Sequence, residues 1–153
     1  MSAVTLAATD SATPVAGVVK GIISYTYWPS RPAAVRLCVL GNTAYQDQLL
    51  SELKHLPGRA VDARRVTLAT PALDGCDALY LGPTMGMVAG RLARREVLAV
   101  SELDSSCPGG AMFCLNIRPD RVSFSLNLDA VARSGLRVDP KVLILGQAGN
   151  TRP

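Results

Sequence analysis

The first regular pattern along the chain consists of apolar residues at helical spacing. They fall at i, i+3, i+4, i+7 and i+8, which is one stripe of an α-helix: Val15, Val18, Val19, Ile22 and Ile23. We expect this helix to end at Trp28, because Pro29 disfavours helical backbone in the residue before it. Gly17 and Gly21 lie one turn apart on the helix, a spacing that favours close packing of another segment.

Between residues 35 and 100, short apolar runs alternate with helical patterns. The predicted strands are 35–40, 61–67, 77–81 and 97–100. After the first strand, Thr43 and Gln46 have the spacing of a capping box, and the helix that they begin is expected to end at Pro57. A second helix is expected to follow the turn at 82–84. This alternation is typical of a parallel sheet built from strand–helix–strand units.

The last third of the chain changes to an antiparallel pattern. Residues 111–117 and 122–126 are predicted strands joined by a hairpin turn at 118–121. Two short helices then close the chain, near 128–134 and near 139–146. The sequence therefore predicts a single compact α/β domain with a mixed sheet, in which parallel units are followed by a C-terminal antiparallel hairpin and helices flank the sheet.

The expected domain spans residues 13–147, between a mobile tail at 1–12 and a C-terminal tail at 148–153. The start of the chain lacks the basic and apolar regions of an intact secretory signal. That start fits a cytosolic protein, and it fits equally well an exported domain whose signal was removed or replaced. No apolar run approaches the roughly 18 residues of a membrane span, so we do not expect membrane insertion.

Composition argues against two classes of function. The net charge of +4 comes from scattered basic residues, and aromatic residues make up only 5% of the chain, so nucleic-acid binding is not expected. The single histidine, His55, lies near a predicted helix end on the surface, and no common catalytic, phosphate-binding or zinc motif occurs. We therefore expect neither an enzyme nor a cofactor or metal site.

Two strand-to-helix turns, 41–43 and 82–84, form the candidate ligand site. They follow neighbouring predicted strands, at the edge where open α/β sheets bind ligands. Asn42, Thr43 and Thr84 would supply polar groups, and free amides at a helix N-terminus attract anions. Neither turn has the glycine spacing of a dinucleotide site, so a purely structural role is the other interpretation.

The four cysteines lack the CxxC spacing of zinc knuckles and thioredoxin-like sites: Cys38, Cys76, Cys107 and Cys114. Disulfides and buried free thiols are the two interpretations, and the even number favours disulfides. Pairing of Cys38 with Cys76 is feasible, because their strands are expected to lie side by side. Cys107 and Cys114 flank a flexible Pro-Gly-Gly stretch that would allow a small ring to close.

Two groups of segments form a recognisable combination. The first group lies around the first helix end and the next strands: Ser24–Tyr25, Trp28–Pro29, Leu37–Val39, Gly41, Cys76 and Tyr80–Gly82. The second, more specific group lies in the last third of the chain: Cys107, Gly110, Met112–Asn116, Phe124, Asn127–Ala130 and Arg133–Gly135. Together they resemble the YfiR family of small periplasmic regulators and cover residues 17–145.

The resemblance implies a periplasmic repressor that binds the periplasmic domain of an inner-membrane diguanylate cyclase, which lowers cyclic di-GMP synthesis and biofilm formation. An OmpA-like outer-membrane lipoprotein sequesters the repressor in that family. The resemblance also implies two disulfides, with Cys38 joined to Cys76 and Cys107 joined to Cys114. The family's partner-binding C-terminal region corresponds here to Val131, Arg133, Arg137 and Asp139.

We therefore expect a homodimer that acts by stoichiometric binding and without catalytic turnover. A solvated helix end is the alternative interpretation of the four C-terminal residues. Trp28 and Tyr25 are expected to be core residues, and the alternative for Trp28 is that it anchors a dimer. The alternative hypothesis for the function is a periplasmic protein that binds a nucleotide or another small ligand at the two turns.

Overall fold

The computed structural model describes residues 15–68, 75–83, 85, 96–102 and 111–148. The α-helices in these residues are α1 (15–24), α2 (Gln46–Glu52), α3 (Leu128–Ser134) and α4 (Val142–Ala148), and a 3₁₀ turn at Leu53–His55 continues α2. The strands are β1 (Thr26–Tyr27), β2 (Val35–Leu40), β3 (Val61–Arg65), β4 (Ala78–Leu81), β5 (Leu98–Glu102), β6 (Phe113–Ile117), β7 (Val122–Leu126) and β8 (Arg137–Val138). The predicted helix after 82–84 lies outside the described residues, apart from Met85.

Strands β2 to β7 form one mixed sheet in the order β3-β2-β4-β5-β6-β7. Neighbouring strands from β3 to β6 run parallel, and β7 runs antiparallel to β6. All four residues of β4 are buried, which is the continuous apolar pattern of a strand covered on both faces. The predicted fold class, an α/β domain with a mixed sheet, is confirmed.

Each face of the sheet buries its own apolar cluster. Leu37 and Val39 of β2 belong to the larger cluster, which also contains the apolar stripe predicted for α1 except Val18, and Val18 packs against the cluster. Cys38 and Leu40 belong to the smaller cluster, because successive side chains of a strand point to opposite faces. Full burial of one large aliphatic side chain contributes about 1.5–3 kcal/mol, so the larger cluster fixes α1 against the sheet.

Helix α1 ends at residue 24, so the prediction that it extends to Trp28 was wrong. The hydroxyl of Thr26 donates to the carbonyl oxygen of Ile22 (2.7 Å), and the chain then enters β1. Thr26 pairs with Val138 in a small antiparallel sheet of β1 and β8. Strands β1 and β8 have only two residues each, so neither shows a periodic pattern in the sequence. Their pairing, between segments far apart along the chain, sets the end of α1.

The predicted capping box was also wrong. Helix α2 begins at Gln46, and no side chain caps it. The hydroxyl of Thr43 instead accepts from the backbone N–H of Tyr45 (3.2 Å) and donates to the carboxylate of Glu102 on β5. Since Glu102 is distant in the sequence, the spacing of Thr43 and Gln46 could not predict this contact.

The C-terminal elements agree most closely with the sequence predictions. The hairpin of β6 and β7 is present, and Arg118 and Arg121 exchange both backbone hydrogen bonds at its turn. The side chain of Asn127 caps α3 by accepting from the backbone N–H of Ala130 (3.1 Å), and Gly135 ends the helix at φ 82°. Helix α4 begins slightly later than predicted, at Val142.

Gly21 permits close packing of α1 against α4, as its position on the helix suggested. A Cβ atom at this position would collide with the side chain of Leu145. Gly17 has open space around it among the described residues, so the close approach depends on Gly21 alone of this pair.

Candidate functional site

A groove of about 340 Å³ lies beside the small sheet of β1 and β8. Its lining includes Tyr25, Tyr27, Arg59, Arg137 and Asp139. These residues come from the end of α1, from β1, from the loop before β3 and from β8. Because β1 and β8 pair antiparallel with Tyr27 opposite Arg137, the small sheet brings the two ends of the fold to one surface.

Arg59 is held in place from several directions. Its Nη1 donates to the carbonyl oxygens of Ile23 (2.8 Å) and Thr26 (2.7 Å). Its guanidinium carbon also lies 5.5 Å from the centre of the Trp28 ring, a cation–π distance. A guanidinium has more N–H donors than these two carbonyls use, so Arg59 presents a fixed positive charge with donors for a partner.

A smaller cavity of about 170 Å³ lies on the other side of Tyr27 and shares Arg59 with the groove. Arg31 donates from Nε to the hydroxyl of Tyr27 (3.1 Å), which orients a ring that is 39% exposed. Trp28 is buried, and its indole N–H donates to the carbonyl oxygen of Asp77 (3.1 Å). Trp28 is therefore a core residue, as predicted, and Tyr25 is partly buried against the same core.

Two of the four residues that the family resemblance implies for partner binding lie at the groove. Arg137 and Asp139 are both exposed there. The backbone N–H of Asp139 donates to the carbonyl oxygen of Tyr25 (2.8 Å), and its carboxylate accepts from the backbone N–H of Lys141 (2.9 Å). The hydrogen bonds of Asp139 therefore stabilise the turn that follows β8. The side chain of Arg137 is exposed to solvent.

The other two residues lie on α3, outside the groove lining. Val131 is partly buried against the larger apolar cluster. Arg133 is exposed and forms an ion pair with Asp129 one turn earlier. An exposed pair of this spacing contributes only about 0.3–0.5 kcal/mol, so Asp129 holds Arg133 weakly. The structure therefore places the four residues on consecutive elements and brings only two of them into one cavity.

The candidate ligand turns lie at the topological switch point of the sheet, where the neighbours of β2 are β3 on one side and β4 on the other. The turns contact each other, because the backbone N–H of Gly82 donates to the carbonyl oxygen of Leu40 (2.9 Å). The side chain of Asn42 accepts from Arg65 (3.1 Å). Thr84 lies outside the described residues.

At this switch point, polar groups are bonded to one another. The hydroxyls of Thr43 and Tyr80 both donate to Oε2 of Glu102, the latter over 2.6 Å. Burial, together with the charge of Glu102 and the hydrogen bond to it, raises the pKa of Tyr80 far above its usual range. Burial and the charge of Glu102 also raise the pKa of Tyr45. The tyrosine hydroxyls stay protonated at neutral pH, and that of Tyr80 is fixed as a donor to the carboxylate.

Apolar contacts close the same crevice. Gly41 has a left-handed φ of 86°, and a Cβ atom there would lie 2.6 Å from Cγ of Met85. At Gly82, a Cβ atom would lie 3.3 Å from Cβ of Thr43. The sequence pattern indicated the turns and Thr43 as candidate site residues, but it did not indicate Tyr80 or Glu102. The available signal was one carboxylate, that of Glu102, at the end of a strand whose other residues are uncharged.

Cys38 and Cys76 form a disulfide with a Cα–Cα distance of 6.0 Å, the pairing that topology made feasible. It closes a separation of 38 residues, which contributes about 4 kcal/mol in the chain-entropy model. Cys114 is buried and disulfide-bonded, and its expected partner Cys107 lies outside the described residues. The three described cysteines are therefore all disulfide-bonded.

Other candidate chemistry is sparse in the described part of the chain. His55 is exposed at the end of the 3₁₀ turn, as predicted. Within the described residues, no cluster of His, Cys, Asp and Glu side chains has the arrangement of a metal site. No helix in that part combines the length and apolar character needed to cross a membrane.

Residues 14–147 match the model of the YfiR/HmsC-like family (DUF4154). The match includes the groove, both turns and all four cysteines. The chain belongs to the YfiR/HmsC-like family. The resemblance found in the sequence is therefore confirmed over nearly the whole chain.

The YfiR/HmsC-like family comprises periplasmic regulators of diguanylate cyclase systems, and its role is regulatory rather than catalytic. In this family context, the exposed groove beside β1 and β8 is the candidate regulatory surface. The closed switch point behind Thr43 and Glu102 is the weaker candidate, since its polar groups already have partners.

Proposed function

We propose that this protein is a periplasmic repressor that binds the periplasmic domain of an inner-membrane diguanylate cyclase and holds it inactive. The consequence is low cyclic di-GMP and little biofilm, and an OmpA-like outer-membrane lipoprotein relieves the repression by sequestering the repressor. The observation that supports this proposal most strongly is the groove in which Arg137 and Asp139 lie beside Arg59 and two tyrosines.

The residue types of this surface suit a protein partner. Arginine and tyrosine are enriched among the residues that carry most of the binding energy at interfaces. Here Tyr27 is held by Arg31, and Arg59 is held by two backbone carbonyls, so little side-chain freedom is lost on binding. Arg31, Arg59 and Arg137 outnumber Asp139 around this surface, which favours an acidic patch on the cyclase domain.

Arg133 extends the proposed surface from the groove onto α3. Its only described ion pair, with Asp129, is weak and exposed, so recruitment by a carboxylate of the partner costs little. A reversed charge at this position would repel the same carboxylate. The fold should be unaffected, because the side chain of Arg133 is 59% exposed.

The test is a calorimetric titration of the oxidised protein with the purified periplasmic domain of the cyclase. We expect a submicromolar complex, and we expect Arg133→Glu to weaken it by about tenfold or more. Lys54→Glu is the matched control, since it reverses an exposed charge on the 3₁₀ turn and should leave the affinity unchanged. Absence of binding by the unmodified protein would overturn the proposed function.

A second candidate function is binding of a nucleotide or another small ligand at the switch point. It is favoured by the position of both turns where β3 and β4 flank β2. A ligand would have to replace the bond between Thr43 and Glu102, which makes tight binding costly. Titration with nucleotides and amino acids tests it, and low-micromolar binding that is lost in Asn42→Ala would raise this candidate above the repressor.

A further inference from the structure

Strand β7 is an edge of the six-stranded sheet, and its outer backbone groups have no partner among the described residues. Arg118 and Arg121 exchange hydrogen bonds at the hairpin turn, and the backbone N–H of Asn127 donates to Met112 at the other end. Hydrogen-bonded pairs alternate along an antiparallel ladder. The register with β6 therefore directs the N–H and C=O groups of three β7 residues outward: Val122, Phe124 and Leu126.

The opposite edge of the sheet is built differently. Strand β3 carries Asp62, Arg64 and Arg65, and charged side chains on an edge strand discourage pairing with another chain. Strand β7 has neither a charged residue nor a proline. Its five residues thus present a pairing surface that the other edge of the sheet lacks.

The sequence of β7 is nearly symmetric about its central residue. It reads Val122-Ser123-Phe124-Ser125-Leu126, with the apolar residues on the core face and the serines on the other face. In an antiparallel pairing with Phe124 opposite its own copy, valine faces leucine and each serine faces a serine. All the outward N–H and C=O groups of both strands then meet in hydrogen-bonded pairs.

We propose that β7 pairs with β7 of a second copy around a twofold axis at Phe124, so that one continuous sheet runs through a homodimer. Such an interface is isologous, the commonest arrangement in soluble dimers. This inference does not depend on the proposed function. It assigns a surface to the homodimer, which the sequence alone does not locate.

Exposed apolar side chains lie on the two elements next to β7. Leu128, directly after the strand, is 72% exposed, and Leu143 and Ile144 on α4 are 48% and 61% exposed. Helix α4 packs on β7 and places Val142 in the same cluster as the core face of the strand. A twofold axis perpendicular to the sheet brings both copies of α4 to the same face of the joined sheet, so the exposed Leu143 and Ile144 of both copies lie on that face.

Charge also favours the antiparallel direction. Arg121 lies just before β7, and Asp129 lies just after it at the start of α3. The twofold pairing brings the Arg121 end of one strand to the Asp129 end of the other. A parallel pairing would bring arginine to arginine.

The test uses charge at the two serines, because Ser123 of one copy faces Ser125 of the other. The variants are Ser123→Lys with Ser125→Lys, and Ser123→Glu with Ser125→Glu, analysed by sedimentation equilibrium of the full chain. Ser125 is exposed, Ser123 is partly exposed, and neither belongs to an apolar cluster, so the monomer should tolerate the changes. Ala44→Lys with Ser51→Lys is the matched control, since both positions are exposed beside or on α2.

We expect a dimer for the unmodified chain and for the control, and a dissociation constant raised about tenfold or more for each charged variant. Mixing the lysine and glutamate variants should restore dimers, because opposite charges then face each other, and restoration also shows that both variants are folded. The proposal is overturned if the unmodified chain sediments as a monomer, if the charged variants stay dimeric, or if mixing restores nothing.

Discussion

The switch point of the sheet and the groove beside β1 and β8 are both rich in polar side chains, but these side chains are used differently. At the switch point, Thr43 and Tyr80 donate to the same oxygen of Glu102. In the groove, Arg137 and Asp139 are exposed. The polar groups of the first region are bonded to one another and stabilise the turns, whereas Arg137 and Asp139 of the second region are exposed to solvent.

This difference shows that a position in the fold is not sufficient to define a site. The switch point is where α/β sheets of this strand order bind ligands, and two glycine turns meet there. Buried polar groups need partners, however, and here the chain supplies them itself. The groove does not lie where α/β sheets usually bind ligands. It nevertheless has exposed charges, on Arg137 and Asp139, beside an Arg59 side chain that two backbone carbonyls hold in place.

The largest expected effect is on stability, at the switch point. Glu102→Leu leaves the buried hydroxyls of Thr43 and Tyr80 without this acceptor, so the free energy of unfolding should fall by about 3 kcal/mol. Glu52→Leu is the control, because its ion pair with Lys20 is exposed and contributes at most about 1 kcal/mol. Urea unfolding measures both, and equal losses in the two variants would contradict the structural role of Glu102.

The next largest effect is expected on the affinity of the groove for the cyclase domain, with the free energy of unfolding nearly unchanged. If the proposed acidic patch of the cyclase domain binds here, Arg137→Glu should weaken the complex by about tenfold or more, because it reverses an exposed charge of the groove. The free energy of unfolding should change by less than about 0.5 kcal/mol. Calorimetry and urea unfolding of the same sample measure the two quantities. Unchanged affinity would remove the groove from the binding surface.

A smaller effect is expected at alkaline pH. The pKa of Tyr80 is raised in the folded state, so its contribution to stability is fully present below the unfolded pKa of about 10 and is lost as pH rises above it. Tyr80→Phe should cost about 1 kcal/mol at neutral pH and make the alkaline loss of stability shallower. Tyr27→Phe, which changes an exposed ring, is the control. Parallel alkaline profiles for Tyr80→Phe and the unmodified protein would contradict burial of this hydroxyl.

The smallest effect is expected at Asn42, the exposed residue of the first turn. Asn42→Ala removes only the hydrogen bond from Arg65, so the free energy of unfolding should change by less than about 0.5 kcal/mol. Affinity for the cyclase domain should stay the same, because the groove does not include this turn. Thermal unfolding and calorimetry check the two expectations. A clear loss of affinity would show that the switch point also takes part in binding, and would contradict the difference between the two regions.

The sequence predicted the elements whose signals are local. The β6–β7 hairpin and the Gly135 end of α3 follow from a turn and a left-handed glycine, and both are confirmed. The capping box of Thr43 and the end of α1 at Trp28 were wrong, because a carboxylate on β5 and a strand near the C-terminus compete for those segments. The candidate turns were placed correctly, but their closure by Tyr80 and Glu102 was not predicted.

The sequence by itself determined the alternation of strands and helices, the apolar faces and the family, since periodicity and short motifs are carried by neighbouring residues. Only the tertiary structure decided which polar groups form hydrogen bonds within the molecule. Hydrogen bonds between Thr43, Tyr80 and Glu102, and the pairing of β1 with β8, join residues that are distant along the chain. Whether a donor is satisfied or exposed depends on such contacts, and local spacing does not record them.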